Sequence, residues 1–128
     1  MGPVKISTVL DAISDDASLE LFKLVARTNA TSDVLRSNME ITRKQYYSRL
    51  FKLVHRGLIK RQDNKYCLTA LGKVTFDAQT TIENALQHYW KIKAIDSINR
   101  TGNLPLEEQY NLVNTLIKDQ GLKSILAR

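Results

Sequence analysis

The sequence has few of the residues on which disulfides and metal sites depend. Its 128 residues include one cysteine, Cys67, and two histidines, His55 and His88. A single cysteine cannot form an internal disulfide, and these three side chains are not spaced like the ligands of a zinc ion. We therefore expect no bound metal, and no other cofactor is indicated.

The sequence also lacks a long apolar run. No stretch approaches the roughly 18 uninterrupted apolar residues of a transmembrane helix. Residues 1–16 have neither the basic end nor the long apolar core of a signal peptide. Because 43% of the residues are apolar, the chain can bury a core of its own. The sequence predicts a cytoplasmic protein of one compact domain.

No group of residues typical of an active site is present. The acid pairs Asp15-Asp16 and Glu107-Glu108 stand at the starts of predicted helices, where acidic side chains interact favourably with the helix dipole. No nucleophile and base at suitable spacing accompany them. We therefore do not expect an enzyme.

Positive charge is concentrated in one short segment. The formal net charge of the chain is +6 at pH 7. Between Thr42 and Lys65 there are eight Lys or Arg residues and one acid, Asp63, whereas the other residues comprise eleven bases and twelve acids. This distribution is typical of a surface that binds a polyanion, not of a uniformly solubilised surface.

Hydrophobic periodicity predicts three helices in the first half of the chain. The first spans about residues 15–26, after Ser14, and the second is a short helix capped by Thr31 or Ser32. The third spans residues 43–56 and lies within the basic segment.

The third helix has signals at both ends and along one face. Thr42 and Gln45 form a capping box at its start, and Gly57 supplies the left-handed residue that ends such helices. Its apolar side chains recur at helical spacing and predict one buried stripe. The stripe consists of Tyr46, Leu50, Leu53 and Val54.

Two short strands are predicted after Gly57, at residues 58–61 and 66–69. The polar residues between them, with Asp63 and Asn64 at the tip, are typical of a tight turn. The segment is therefore predicted to be a β-hairpin.

A long helix is predicted from Thr69 or Ala70 to about Ile98, because apolar residues recur every three or four positions. If continuous, it is about 40 Å long at 1.5 Å per residue, longer than the core of a small domain needs. Part of its apolar face is therefore expected to pack against a second copy, or to fold back on the last helix of the same chain.

The C-terminal part is predicted to hold one more helix. Residues 99–103 interrupt the periodic pattern, and Pro105 suits the first turn of a helix over residues 106–118. Gly121 is predicted to end this helix and to leave a short tail.

The segment ITRKQYYSRLFKLVHRGLIKRQDNKYCLTALGK, residues 41–73, resembles the recognition helix and wing of small prokaryotic, especially archaeal, winged helix-turn-helix transcription regulators. The matching positions are Tyr46, Leu50 and Leu53 in the helix, Gly57, Leu58 and Ile59 at its end, and Tyr66, Leu68, Thr69, Gly72 and Lys73 after the turn. The resemblance covers residues 14–73. It implies a mainly α fold with a small β-hairpin wing, followed by a long helix and a final helix over residues 74–128.

The resemblance implies that the chain is a sequence-specific regulator that binds double-stranded DNA, with helix 43–56 in the major groove and wing 58–69 on the backbone. It further implies a homodimer formed through helix 74–95. The DNA-contacting set is Thr42, Arg43, Lys44, Gln45, Tyr47, Ser48 and Lys52 in the helix, and Lys60, Arg61, Asn64 and Lys65 in the wing.

A different function is compatible with the same pattern, because a fold does not fix a function. A winged helix can serve protein assembly, with the basic helix docking on an acidic partner protein and the long helix forming a hetero-oligomer. Tyr46 and Tyr47 also suggest stacking on single-stranded nucleic acid. Adjacent helical residues point in different directions, so only Tyr47 is free, which favours duplex DNA.

Three further side chains allow two interpretations each. Trp90, with Tyr89 and His88 beside it, lines a ligand pocket or packs in a dimer interface, and we favour the interface. Cys67 is interpreted as a small apolar residue rather than a redox sensor. His55 is interpreted as a helix-end or phosphate contact rather than a catalytic base.

Overall fold

The computed structural model describes residues 4–101 and 105–127, which fold mainly as helices with one antiparallel hairpin. This confirms the predicted fold class, a winged helix-turn-helix followed by further helices. The chain divides into two compact units, residues 1–76 (unit 1) and 77–128 (unit 2). The elements are α1 (Ile6–Ala12), α2 (Asp16–Thr28), α3 (Ser32–Ser37), α4 (Arg43–His55), β1 (Ile59–Gln62), β2 (Lys65–Leu68), α5 (Ala70–Gln87), α6 (Tyr89–Thr101), α7 (Leu106–Leu116) and α8 (Gln120–Leu126).

The core of unit 1 lies between α1, α2, α3, α4 and β1. Its largest fully buried side chains are Phe22 and Tyr46. α1 was not predicted from the sequence: it has only seven residues, and its N-cap residue Lys5 makes no side-chain capping bond. The buried residues of this core are Ala12, Leu21, Phe22, Val25, Leu35, Met39, Tyr46, Leu50, Leu53, Leu58 and Ile59.

α2 starts one residue later than predicted and ends two residues later. Its N-cap is Asp15, not Ser14, and the Asp15 carboxylate accepts a hydrogen bond from the Ser18 backbone N–H at 3.2 Å. A carboxylate at this position satisfies a backbone donor and complements the helix dipole.

α3 and α4 form the helix-turn-helix. Tyr46 of α4 is fully buried, and its hydroxyl donates to the backbone carbonyl oxygen of Ser32, the first residue of α3, at 3.1 Å. Burial raises the pKa of Tyr46. This hydrogen bond gives the buried phenol a partner and links the two helices.

Both ends of α4 have the predicted capping interactions. The Thr42 hydroxyl accepts from the Gln45 N–H, and the Gln45 side-chain oxygen accepts from the Thr42 N–H, each at 3.1 Å. After the helix, Gly57 has φ +81°, and the N–H groups of Gly57 and Leu58 donate to the carbonyls of Val54 and Leu53. This pair of bonds is the Schellman motif, in which a left-handed glycine satisfies the last carbonyls of a helix.

Each strand of the hairpin is shifted by one residue from the prediction, towards the turn. Its register pairs Ile59 with Leu68 and Gln62 with Lys65. Asp63 and Asn64, at the tip as predicted, have φ of +54° and +63°. Two consecutive positive φ angles are typical of the type I′ turn, whose twist matches that of the flanking strands.

The Thr69 hydroxyl joins the end of α4 to the start of α5. It donates to the Gly57 carbonyl oxygen and accepts from the Gly72 N–H at 2.9 Å. A Cβ atom on Gly72 would lie 2.0 Å from the Leu58 carbonyl oxygen. The Leu-Thr-x-x-Gly pattern therefore combines a helix cap with a close approach of two backbone segments.

Unit 2 has a small core of its own, and its helices differ from the prediction. The long helix is interrupted at His88, where α5 ends and α6 begins, although no glycine or proline marks the position. α6, α7 and α8 bury Ile95, Val113, Ile117 and Leu122 together. Ile95 is therefore buried within the chain. This agrees with the second alternative above, in which part of the apolar face packs against the last helix of the same chain.

The last predicted helix is divided into two. α7 ends at Leu116 because Ile117 is extended, and α8 starts after Asp119, whose carboxylate accepts from the Leu122 N–H at 2.9 Å. Gly121, predicted to end the helix, lies inside α8. The predicted interruption at residues 99–103 falls partly on 102–104, which lie outside the described residues.

Candidate nucleic-acid interface

The outward face of α4 is polar and basic over its first two turns. Tyr46, Leu50 and Leu53 face the core of unit 1, whereas Val54, predicted to join them, is 41% exposed. The side chains of Arg43, Lys44, Tyr47 and Ser48, all in the predicted set, are exposed. The structure therefore brings these four together on one accessible surface.

Two of these side chains are held by neighbouring aromatic groups. The Arg43 guanidinium lies over the Tyr47 ring, with Cζ 5.7 Å from the centroid. The Tyr47 ring makes an edge contact with the ring of buried Tyr46, at 5.1 Å between centroids. Such contacts restrict the two side chains, so less entropy is lost when they bind a ligand.

Two bases of α4 are paired with acids from earlier elements. Lys52, in the predicted set, places Nζ 3.1 Å from Asp11 Oδ2. Arg49 Nε donates to Asp15 Oδ2 at 2.9 Å. Residues 43–56 contain no acid of their own, so both partners come from other elements. Lys52 is consequently less available to a phosphate than the bases at the start of α4.

The Asp15 carboxylate is held in its charged form by these contacts. Partial burial opposes ionisation, but hydrogen bonds from Ser18 and Arg49 outweigh it and lower the pKa of Asp15 from 3.8 to about 2. The Arg49–Asp15 ion pair therefore persists at neutral pH. It joins α4 to the start of α2 and so orients the face that carries Arg43 and Tyr47.

Thr42 and Gln45, also in the predicted set, are used within the protein. Both side chains make the capping box and remain exposed at the start of α4. The two side chains lie next to Arg43 and Lys44 at the exposed start of the helix. The positive end of the helix dipole favours binding of an anion there.

The wing presents the four predicted side chains on an exposed hairpin. Lys60 and Arg61 lie on β1, Lys65 begins β2, and all three are exposed. Arg61 Nη2 donates to Asn64 Oδ1 at 2.9 Å, which orients the guanidinium next to the tip. The Tyr66 N–H donates to the Ala30 carbonyl oxygen at 3.0 Å, which attaches the wing to the segment before α3.

One exposed residue of α4, Phe51, was given no role in the prediction from the sequence. Phe51 is 70% exposed, and its ring stacks on the His55 ring. The spacing of four residues from Tyr47 to Phe51 and from Phe51 to His55 could have identified this row, since such residues lie on one side of a helix.

α5 carries a row of exposed apolar side chains. Val74, Ile82 and Leu86 are each at least 60% exposed, and Ala78 is exposed between them at the same helical spacing. In α6, Trp90 is 77% exposed and Lys93 lies over its ring. Because the Trp90 ring is this exposed, it does not line an enclosed ligand pocket in this structure. Cys67 is half-buried in β2.

Within residues 4–101 and 105–127, no three His, Cys, Asp or Glu side chains are grouped as metal ligands. In the same part of the chain, every helix is too short or too polar to span a bilayer.

The fold is similar to that of a solved bacterial protein. An ArsR-like transcriptional regulator from Rhodococcus sp. RHA1 is 19% identical, with a TM-score of 0.49 over 72% of this chain and 90% of that chain. No protein-family model and no curated protein matches the sequence. This degree of similarity is too low to assign a function.

Proposed function

We propose that the chain is a transcription regulator that binds double-stranded DNA sequence-specifically, with α4 in the major groove and the wing on the backbone. The observation that carries the proposal is the exposed face of Arg43, Lys44, Tyr47 and Ser48 at the start of α4. The capping box, the Schellman motif and the Arg49–Asp15 pair hold this helix rigidly. A rigid helix with exposed hydrogen-bonding groups is what recognition of base edges requires.

The proposed contacts divide into two kinds. Arg43 and Lys44 can donate to guanine O6 and N7, and Tyr47 and Ser48 can contact base edges or phosphates. Lys60, Arg61, Asn64 and Lys65 of the wing are suited to phosphates. Lys52 is a weaker candidate for a phosphate contact, because its ammonium group is paired with Asp11.

We further propose that two copies pair through the exposed row Val74, Ala78, Ile82 and Leu86 of α5. A row of this kind is typical of a helix that packs against another helix. The predicted interface extends over residues 74–95, but Ile95 is buried against α7 and α8. The proposed interface is therefore limited to the row on α5. A two-fold dimer would present two copies of α4 to a near-palindromic site.

The test is a fluorescence-anisotropy titration of duplexes selected by the protein from a randomised pool, over a salt series. We expect log Kd to rise with log salt by about 0.9 for each phosphate neutralised. Arg43→Ala should reduce the binding free energy by about 1–3 kcal/mol and relax the sequence preference at one base pair. Lys65→Ala should weaken binding to all sequences alike and reduce the slope of log Kd against log salt by about one.

Lys91→Ala is the charge-matched control, because Lys91 is exposed on α6 in unit 2. It should leave affinity and salt slope unchanged. The proposal fails if Arg43→Ala, Lys65→Ala and the parent bind every sequence equally. If the protein ignores duplex DNA at low salt but captures an acidic protein, the assembly function is the better account.

A further inference from the structure

The outer face of α4 carries an apolar group that the contacts proposed above do not use. Phe51 is 70% exposed, and its ring lies 5.6 Å from that of His55, with the planes 10° apart. Arg43, Tyr47, Phe51 and His55 follow one another at intervals of four residues. They therefore lie along one side of the helix, and Phe51 continues the surface proposed for DNA.

An apolar side chain on such a helix has a specific partner in duplex DNA. Among the base edges of the major groove, the apolar group is the C5-methyl of thymine, and phenylalanine is among the side chains that contact it. Stacking on His55 restricts the Phe51 ring and so reduces the entropy lost on contact.

We propose that Phe51 is a specificity-determining residue that packs against the C5-methyl group of a thymine. The proposal rests on the proposed function, because it needs α4 in the major groove. Phe51 follows Arg43 by eight residues, about 12 Å along the axis at 1.5 Å per residue. Since base pairs are about 3.4 Å apart, the thymine is expected within about four base pairs of the base that Arg43 contacts.

Replacing thymine by uracil tests this contact, because the change removes the methyl group and leaves the hydrogen-bonding groups and charge of the base. Duplexes selected by the full-length protein are made with thymine or with deoxyuridine throughout one half-site. Anisotropy then gives Kd for the parent and for Phe51→Ala at one salt concentration. We expect the parent to bind the uracil duplex roughly fourfold more weakly for each methyl group covered. Phe51→Ala should bind both duplexes equally.

The comparison of the two proteins cancels any effect of uracil on the DNA itself. Leu106→Ala is the matched control, because Leu106 is an apolar residue on α7 with 84% exposure, and it should keep the parent's ratio of the two Kd values. Circular dichroism verifies that Phe51→Ala retains its helices.

Three results overturn the proposal. Equal binding of both duplexes by the parent, with the selected sequence still preferred to a scrambled one, removes the role of Phe51 and leaves the proposed function intact. If the ratio of the Kd values for the uracil and thymine duplexes is the same in the parent and in Phe51→Ala, the role of Phe51 is likewise excluded and the proposed function is unaffected. If no duplex binds at low salt, both the proposed function and the role of Phe51 fail.

Discussion

Asp15 has two roles at the start of α2. Its carboxylate caps the helix by accepting from the Ser18 N–H, and it pairs with Arg49 of α4 at 2.9 Å. The first role needs only a hydrogen-bond acceptor, whereas the second needs a negative charge. The two can therefore be separated by a substitution that keeps the acceptor and removes the charge.

Asp15→Asn should lower the free energy of unfolding by about 0.5–1 kcal/mol at pH 7, since the side chains of this pair are partly exposed. The pKa of Asp15 is about 2 in the folded protein and 3.8 without its contacts. Its stabilising effect is therefore fully present above about pH 4 and is lost as the pH falls towards 2. Urea unfolding at pH 7 and pH 2 measures the difference between the variant and the parent.

Arg49→Ala supplies the control for this experiment. In a protein that already carries Arg49→Ala, Asp15→Asn should lower the free energy of unfolding by less at pH 7, because the Asp15 charge then has no guanidinium partner. An Asp15→Asn effect of the same size at pH 7 and pH 2 would contradict the role of the charge.

At the scale of the elements, two glycines connect α4, the wing and α5 for different reasons. Gly57 is required for its backbone conformation, with φ +81° and no atom within 4 Å of an added Cβ. Gly72 is required for space, because an added Cβ would meet the Leu58 carbonyl oxygen. Both positions belong to the segment that resembles winged-helix regulators, and each has a physical explanation in this structure.

Gly72→Ala should destabilise the protein by about 2–3 kcal/mol, since a backbone segment must move to admit the methyl group. Gly57→Ala should cost about 1–2 kcal/mol, the cost of a left-handed conformation. Chemical denaturation measures both.

Asparagine distinguishes the two causes. At Gly57 it should recover part of the loss seen with alanine, because asparagine tolerates the left-handed region. At Gly72 it should be no better than alanine. Equal effects of alanine and asparagine at Gly57 would contradict the conformational explanation.

At the scale of the whole molecule, the exposed row of α5 determines the proposed assembly. Ile82→Glu places a charge in the centre of this row and should convert a dimer to a monomer, because an unpaired charge is costly at a helix interface. Light scattering should change from twice the chain mass to the chain mass of 14.6 kDa. Affinity for a two-fold DNA site should fall with it, since the two copies of α4 are no longer linked.

Leu106→Glu is the control for this change, because it alters an apolar residue on α7 that is more exposed than Ile82. It should remain dimeric. A parent protein of 14.6 kDa at high micromolar concentration would exclude the dimer, and the two halves of a palindromic site would then be bound independently.

Some features of the site were predictable and others were not. The capping box of Thr42 and Gln45 and the left-handed Gly57 were predicted correctly, because each depends on residues within a few positions along the chain. The pairing of Lys52 with Asp11 was not predicted, because it depends on an element distant in sequence. Phe51 was placed neither in the predicted buried stripe nor in the DNA-contacting set, and its position on the outer face is known from its 70% exposure in the folded structure.

The local structure of the basic segment follows from its sequence: a basic, capped and glycine-terminated α4, followed by a tight hairpin with Asp63 and Asn64 at its tip. These features follow from short-range hydrogen bonds and backbone preferences. The sequence pattern does not indicate which bases of α4 are paired with acids, or that the long helix is interrupted at His88. The ion pairs depend on packing between distant segments, because Asp11 and Asp15 lie far from α4 in the sequence, and a linear pattern of side chains does not specify which segments meet.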